Sequence, residues 1–347
     1  MIYFRVDSNE FIASGHLMRC MAIARELEKR GEDVVFVASD DNPKEILEKN
    51  GFYLINLHSD WTDLRTEVSK MLLLLAEETD PILFIDTYSV FGQYVNVLSM
   101  FAKVVYLGSK KADLGNLSLL INYSAKIDAD FYIETYQNKF DILLGPKYTP
   151  LREEFVGFER NIDENIKRVL ITTGNTDSTG IVKALLERII KVYDDEFEVK
   201  DLVFDVVLGS MFTNKEEIKE LAESVPYIVV HEKCNYMGEL MRKSQIAISA
   251  GGNTMNELAA MGEAIIAFAV ARDQIGDIEA FSERGACIDA GVAFESQEGM
   301  EETADCAIMS LIKLVDEKEA RQALQWCALD TVGGNGTQLI CDEIQNL

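Results

Sequence analysis

Short apolar runs of strand length alternate with longer amphipathic runs of helix length from one end of the chain to the other. A strand, a helix and a second strand in succession build a parallel sheet with helices packed on its faces. This alternation predicts an α/β protein. The length of 347 residues favours two parallel-sheet domains over one.

The predicted strands are short segments rich in branched apolar residues. In the first half they cover residues 2–6, 33–38, 53–57, 82–86, 103–107, 119–122 and 141–144. In the second half they cover residues 168–172, 202–209, 227–230, 246–249, 264–268 and 286–289. The clearest helix is predicted over residues 15–30, because its apolar residues recur at helical spacing and Gly31 follows as a stop.

A charged segment, KYTPLREEFVGFERNIDENIK at residues 147–167, separates the two series of strands. It predicts an N-terminal domain over residues 1–150, a linker over residues 151–167 and a C-terminal domain over residues 168–347. No close internal repeat is visible in the sequence.

The charge of the chain argues against two classes of partner. Lys and Arg number 33, Asp and Glu number 59, and the formal net charge is −26. Such a surface repels nucleic-acid backbones and anionic lipid.

No apolar run approaches the roughly 20 residues that a transmembrane helix needs. The chain begins directly with a predicted strand and its six cysteines form no C-x-x-C pair, so we expect a cytoplasmic protein with reduced thiols.

Open parallel sheets bind ligands beyond the carboxyl ends of their strands, so the loops after strands hold the candidate residues. The first such loop, residues 7–16, contains Ser14 as a candidate helix N-cap and Gly15, which permits close backbone approach. His16 then lies at the positive end of a helix, which disfavours imidazolium and suits a general base. The alternative is an ordinary surface or hydrogen-bonded histidine.

A second loop, residues 249–262, has two glycines between a predicted strand and a predicted helix. Backbone N–H groups at Gly251, Gly252, Asn253 and Thr254 can hold a diphosphate without a basic side chain. Glu257 has two compatible interpretations. It can accept hydrogen bonds from a ribose diol, or it can form a capping box with Thr254.

A third loop, residues 173–180, repeats the pattern of strand, polar turn and helix, and its plain alternative is a turn with an N-cap. None of the loops matches a P-loop or the dinucleotide-binding fingerprint.

Tyr88 follows the strand over residues 82–86, where it either hydrogen-bonds a sugar or phosphate or covers the sheet edge. No cluster has metal-ligand spacing, so neither a metal nor a cofactor is expected.

Several motifs, in order along nearly the whole chain, resemble one family. Phe4-Arg-Val-Asp7 followed by Ser14-Gly-His-Leu-Met-Arg-Cys20 is similar to the start of the hydrolases that release UDP from UDP-2,4-diacetamido-2,4,6-trideoxy-β-L-altropyranose in pseudaminic acid biosynthesis, and of the related spore coat polysaccharide proteins. Further matches are Asp86-Thr-Tyr88, Leu143-Leu-Gly-Pro-Lys-Tyr148, Gly174-Asn-Thr-Asp177, Asn256-Glu257 and Gln274.

This resemblance implies the B-type glycosyltransferase fold, with two Rossmann-like domains that face a cleft and with UDP held mainly by the second. It implies that His16 activates water against the anomeric carbon. The residues implied to bind the substrate are Asp7, Gly15, Arg19, Tyr88, Asn256 and Gln274. Those implied to bind the nucleotide are Gly174, Thr176, Asp177, Gly251, Gly252, Asn253, Thr254 and Glu257.

We therefore expect metal-independent hydrolysis of a UDP-linked deoxy acylamino sugar to free sugar and UDP, in nonulosonic acid or surface polysaccharide biosynthesis. The alternative is a glycosyltransferase that uses the same donor. An inactive UDP-sugar-binding protein and an epimerase are further possibilities. The sequence leaves the sugar, the acceptor and the oligomeric state open.

Overall fold

The computed structural model describes residues 1–9, 15–136, 139–157, 166–197 and 201–347. These residues form two compact units, Met1–Glu153 with Asn335–Leu347, and Glu154–Gly334. Each unit contains one sheet, and every strand pair in both sheets is parallel. The predicted α/β class with two parallel-sheet domains is confirmed.

The first unit has a seven-stranded sheet. Its strands are β1 Ile2–Val6, β2 Val34–Ala38, β3 Leu54–Asn56, β4 Ile82–Asp86, β5 Lys103–Leu107, β6 Leu119–Asn122 and β7 Asp141–Leu144. Its helices before the boundary are α1 Gly15–Lys29, α2 Lys44–Lys49, α3 Val68–Ala76, α4 Gly92–Leu98 and α5 Ala129–Tyr136. The strand order across the sheet is β3-β2-β1-β4-β5-β6-β7.

The second unit has a six-stranded sheet. Its strands are β8 Arg168–Thr172, β9 Val203–Leu208, β10 Ile228–Glu232, β11 Ile246–Ala250, β12 Ala264–Ala269 and β13 Cys287–Val292. The helices after β8 are α6 Ile181–Glu196, α7 Lys215–Glu223, α8 Met237–Lys243, α9 Asn253–Ala260, α10 Ile275–Glu283, α11 Gln297–Asp316, α12 Lys318–Val332 and α13 Gly336–Gln345. The strand order is β10-β9-β8-β11-β12-β13.

Helix α13 does not stay with the C-terminal unit in which residues 168–347 were predicted. It belongs to the first unit, where Ile340, Cys341 and Ile344 are buried in the same core as α1. The hydroxyl of Thr337 donates to the carbonyl of Leu151 at 2.9 Å. Arg30 also donates to Asp342 of α13 at 2.6 Å, so buried apolar side chains and polar contacts together assign this helix to the first unit. The predicted linker covers residues 151–167, of which residues 158–165 lie outside the described part of the chain.

Each strand order reverses direction once, and this fixes where a ligand can bind. In the first sheet the chain moves outward from β1 to β3 and returns to place β4 against the other side of β1. In the second sheet β11 returns in the same way to the other side of β8. Loops diverge at such switch points and leave a crevice at the carboxyl edge. Those crevices lie beside the loops after β1 and β4, and after β8 and β11.

Among the described residues, no helix combines the length and the apolar character needed to cross a membrane.

Candidate active site

Helix α1 places His16 at the carboxyl edge of the first sheet. The helix begins at Gly15 and buries Leu17, Cys20 and Ala24 against the core of the unit, so its first turn is held firmly over the end of β1. His16 itself is only 8% exposed. Ser14, the predicted N-cap of this helix, lies outside the described residues.

His16 is paired with Asp86, the last residue of β4. The imidazole Nδ1 lies 2.5 Å from Asp86 Oδ1, and Asp86 is 1% exposed. The register of the sheet accounts for the pairing, because Val6 at the end of β1 lies beside Asp86 and the two loops leave the sheet as neighbours. The predicted site residue His16 therefore has a carboxylate partner that the sequence did not assign to it.

Arg19 lies one turn further along α1 and contacts the same carboxylate. Its Nε donates to Asp86 Oδ2 at 2.6 Å, and its Nη2 donates to Asp86 Oδ1 at 2.5 Å. Its Nη1 donates to the hydroxyl of Tyr123 at 2.6 Å. Arg19 was predicted to bind substrate, and in the structure three of its N–H groups are used within the protein.

The charge of Arg19 determines the ionisation of Asp86. Burial alone would raise the pKa of this carboxyl, but the charge of Arg19 and the hydrogen bonds from Arg19 and His16 outweigh it and lower the pKa to about 2. Asp86 is therefore ionised at neutral pH. An ionised carboxylate only accepts hydrogen bonds, so the proton between the two residues sits on Nδ1 of His16. That leaves Nε2 as the nitrogen that can accept a proton.

Tyr88 lies next to this pair, as predicted from its place two residues after Asp86. Its ring meets the His16 ring edge-on, with centroids 4.6 Å apart, and the side chain is 68% exposed. The ammonium of Lys110 fixes the backbone of the loop after β4, because it donates to the carbonyls of Tyr88 at 3.2 Å and Val90 at 2.5 Å. Tyr88 is thus available to a ligand that reaches His16.

Asp7 has a different environment from that expected of a substrate contact. It is 3% exposed, and its Oδ1 accepts from the backbone N–H and the hydroxyl of Ser39, both at 2.9 Å. Its Oδ2 accepts from Arg5 at 2.6 Å. Arg5 in turn donates twice to the buried carboxylate of Glu67, at 2.7 and 2.8 Å. Asp7 therefore links the carboxyl ends of β1 and β2.

In the second unit the glycine pair lies between β11 and α9, as predicted. Gly252 has φ +117°, a conformation that favours glycine, and a Cβ on Gly251 would lie 2.8 Å from Ile278 Cδ1 and 2.9 Å from Gln274 Cβ. Helix α9 then begins at Asn253. Its first N–H groups face the switch point of the second sheet, the geometry that holds phosphate oxygens.

The capping-box interpretation of Thr254 and Glu257 is wrong. The N-cap of α9 is Gly252 and no side chain caps it, so Thr254 is the second residue of the helix, not its cap. Glu257 is therefore one turn inside α9. Asn256, on the same helix, is 8% exposed.

Gln274 is oriented toward the glycine pair. Its Oε1 accepts from the backbone N–H of Val270 at 2.9 Å, which fixes the amide. Its Nε2 lies 3.9 Å from the position that a Cβ on Gly252 would occupy. The amide donor thus faces the loop that was predicted to bind the nucleotide.

The loop after β8 brings Gly174 and Thr176 to the same edge, whereas Asp177 serves the fold. Gly174 has φ +79° and Thr176 is exposed. The Asp177 carboxylate is 3% exposed and accepts from the backbone N–H groups of Gly180 at 3.0 Å and of Ile181 and Val182, both at 3.1 Å. It satisfies the start of α6, which is the plain alternative that the sequence left open.

We therefore expect Asp177→Ala to lower the free energy of unfolding by about 1–2 kcal/mol, because the first N–H groups of α6 lose their acceptor. Urea denaturation followed by circular dichroism measures this loss. Ser178→Ala, in the same loop and exposed, is the control and should leave stability unchanged. Unchanged stability of the Asp177 variant together with lost UDP binding would instead make Asp177 a nucleotide contact.

Sequence reasoning missed Asp86 as the partner of His16, and it also missed Tyr123, Arg5 and Glu67. One signal was available, since His16 and Arg19 are three residues apart on a helix and must be neighbours. Glu67 is far from Arg5 in the chain, and only the folded sheet brings them together. Among the described residues, no group of three or more His, Cys, Asp or Glu side chains could hold a metal ion.

Two curated proteins are similar to this chain in sequence, and solved structures are similar to it in fold. No protein-family model matches the chain. It is 23% identical over 274 residues to MJ1062, an uncharacterised protein of Methanocaldococcus jannaschii, across 75% of this chain and 54% of that protein. It is 24% identical over 157 residues to the spore coat polysaccharide biosynthesis protein SpsG of Bacillus subtilis, across 45% of this chain and 44% of SpsG. The chain spans about half the length of these curated relatives.

Solved structures match over the full length. The glycotransferase of kitacinnamycin has a TM-score of 0.70 at 15% identity, over 99% of this chain and 98% of that one. HepE of Anabaena, solved with UDP-glucose, has a TM-score of 0.60 at 13% identity, over 100% of this chain and 99% of that one. The chain therefore has the two-domain parallel-sheet fold of the B-type glycosyltransferases.

Proposed function

We propose that this chain is an enzyme that breaks the bond between the anomeric carbon of a sugar and the diphosphate of UDP, with transfer of the sugar to a hydroxyl acceptor. The observation that carries the proposal is the His16–Asp86 pair at the switch point of the first sheet. A buried carboxylate on Nδ1 orients the imidazole and leaves Nε2 as a general base. HepE, which shares the fold, was solved with UDP-glucose.

The chemistry assigns a separate role to each group. Nε2 of His16 takes the proton of the acceptor hydroxyl while its oxygen attacks the anomeric carbon. The bond from that carbon to the phosphate oxygen breaks, and UDP leaves with the electron pair. In the second unit, the N–H groups at the start of α9 and the amide of Gln274 would stabilise the charge on the diphosphate. Glu257 would accept hydrogen bonds from the ribose.

Hydrolysis is the second candidate, because the segment from Gly15 to Cys20 resembles that of UDP-sugar hydrolases. A base that activates a hydroxyl also activates water, so the same His16 serves both reactions. In that case the sugar would be the deoxy acylamino sugar implied by the resemblance, and the product would be free sugar with UDP.

A phosphorus NMR time course with a chelator present separates these outcomes. The donors are UDP-N-acetylglucosamine and the UDP-linked diacetamido-trideoxy sugar, each tested in buffer alone and with a panel of monosaccharide and glycerol acceptors. UDP release that rises with an acceptor, together with a new glycoside, supports transfer. UDP release that is independent of acceptor, with free sugar, supports hydrolysis. An altered sugar still attached to UDP, or no UDP from any donor, would overturn the proposal.

A further inference from the structure

We propose that Arg19 is a positioning residue. Its positive charge balances the negative charge of Asp86 and so keeps the His16–Asp86 pair from taking up an extra proton. It was expected to bind substrate, and the geometry assigns it to the base instead. The proposal rests on the proposed function only in calling His16 the base. The protonation that it describes is a property of the folded protein that can be measured without turnover.

The contacts of Arg19 are directed into the protein. Two of its nitrogens hold both oxygens of Asp86 in the parallel arrangement that is strongest for a guanidinium and a carboxylate. A third nitrogen is fixed by the hydroxyl of Tyr123, which follows β6. Only 15% of the Arg19 side chain is exposed, against 1% for Asp86. Three nitrogens of the guanidinium therefore make hydrogen bonds within the protein. They hold it beside the carboxylate oxygen that the imidazole also contacts.

Arg19 also contacts the imidazole directly. Its Nη2 lies 3.0 Å from Nδ1 of His16, and both nitrogens point toward the same oxygen of Asp86. A second proton on the imidazole would place a positive charge beside the positive guanidinium. Like charges at this distance disfavour the charged form, whereas the carboxylate alone would favour it. The two effects oppose each other, and Arg19 supplies the one that keeps the base available.

The other described groups around His16 leave this balance to Arg19 and Asp86. Cys20 lies on α1 with its Sγ 3.4 Å from Asp86, and burial together with Asp86 raises the pKa of its thiol well above the ordinary value. Burial likewise raises the pKa of Tyr123, despite the opposing charge of Arg19. Tyr88, from the loop after β4, packs against the imidazole in a T-shaped arrangement. Because the pKa values of Cys20 and Tyr123 are raised, both groups are uncharged at neutral pH, and the charges that contact the imidazole among the described residues are those of Arg19 and Asp86.

Removal of Arg19 is therefore expected to raise the proton affinity of the His16–Asp86 pair. The carboxylate of Asp86 would stay buried beside His16 with no cation to balance it. The pair then takes up a proton at a higher pH, whether the proton rests on the imidazole or on the carboxyl group. Because the two groups titrate together, the pH midpoint belongs to the pair and its rise does not depend on that assignment.

The test is an NMR pH titration of the imidazole signals in the whole protein, with His58 and His231 as internal references. We expect Arg19→Met to raise the midpoint of the His16 signal by about one pH unit or more. Arg19→Lys, which keeps the charge, should restore most of the wild-type midpoint. Arg25→Met is the matched control on the same helix, because Arg25 is paired with Glu28 on the surface. It should leave the midpoint unchanged.

An unchanged His16 midpoint in Arg19→Met would overturn the proposal, as would a midpoint that falls. If that variant does not fold, Arg19→Gln keeps a donor toward Asp86 without the charge and must show the same rise. In an active preparation, the acidic limb of kcat/KM should move up by the same amount in the neutral variants. A shifted midpoint in a protein that turns over no donor would support the role of Arg19 and count against the proposed function alone.

Discussion

His16→Asn is expected to lower kcat by about 10³-fold or more, because asparagine cannot take a proton from water or from an acceptor hydroxyl. The affinity for UDP should stay within a factor of two or so of the wild type, since the proposed nucleotide contacts lie in the loop after β11, on α9 and at Gln274. Turnover is measured by UDP release and affinity by isothermal titration calorimetry. Retained turnover with a folded variant would remove His16 from the catalytic role.

The control for this variant is His58→Asn. His58 is exposed and has φ +47°, a backbone conformation that asparagine tolerates well. Both substitutions thus make the same chemical change, one beside Asp86 and the other on the surface. We expect the His58 variant to keep full turnover and full stability.

Asp86→Asn is expected to have the second largest effect, on both activity and stability. An amide offers one acceptor and one donor group where Arg19 and His16 both require acceptors, so a buried guanidinium loses half of its pairing. We expect kcat to fall by about 10²–10³-fold, since the imidazole loses the group that fixes its tautomer. The free energy of unfolding should fall by about 3 kcal/mol.

The stability difference between wild type and Asp86→Asn should depend on pH. The pKa of Asp86 is lowered from 3.8 to about 2 in the folded protein, so the carboxylate stabilises the folded state above the unfolded value. That stabilisation is lost as the pH falls through the window from about 4 to about 2. Urea denaturation at pH 7 and at pH 3 measures the loss. Asp130→Asn, which replaces an exposed carboxylate on α5, should show no comparable difference.

Much of the fold was predictable because the central strands of each sheet are nearly continuous apolar runs that are buried on both faces. Strands β1, β4, β5, β6, β7 and β8 have the predicted bounds. Other strands differ by one to three residues at their ends, where the sequence pattern is weakest and only the hydrogen bonds of the sheet decide. Helix α13 was predicted within the C-terminal domain, whereas Ile340 and Ile344 are buried in the core of the first unit, a contact between distant parts of the chain that the apolar pattern does not reveal.

The candidate site was predictable where it depends on chain position. These residues lie in or next to loops that follow strands, namely His16 and Tyr88 in the first unit and Gly251 and Gly252 in the second. The parallel strands of each sheet bring such loops to the carboxyl edge of that sheet. The roles of Asp7 and Arg19 were not predictable in this way, whereas Asp177 accepts from N–H groups three to five residues further along the chain. Asp7 and Arg19 each have a charge that would suit a ligand, but Ser39 and Asp86 come from distant parts of the chain. Asp7 is satisfied by Arg5 and Ser39, for example, and only the folded sheet shows this.

The return of α13 to the first unit has a consequence for the order of folding during synthesis. Residues Asn335–Leu347 leave the ribosome after the whole of the second unit. Until then the buried face of α1 lacks Cys341, whose Sγ lies 3.7 Å from the carbonyl of Ile23. The second unit can thus complete its core during translation. The unit that contains His16 and Asp86 is thus completed by a segment that is translated after the whole of the second unit.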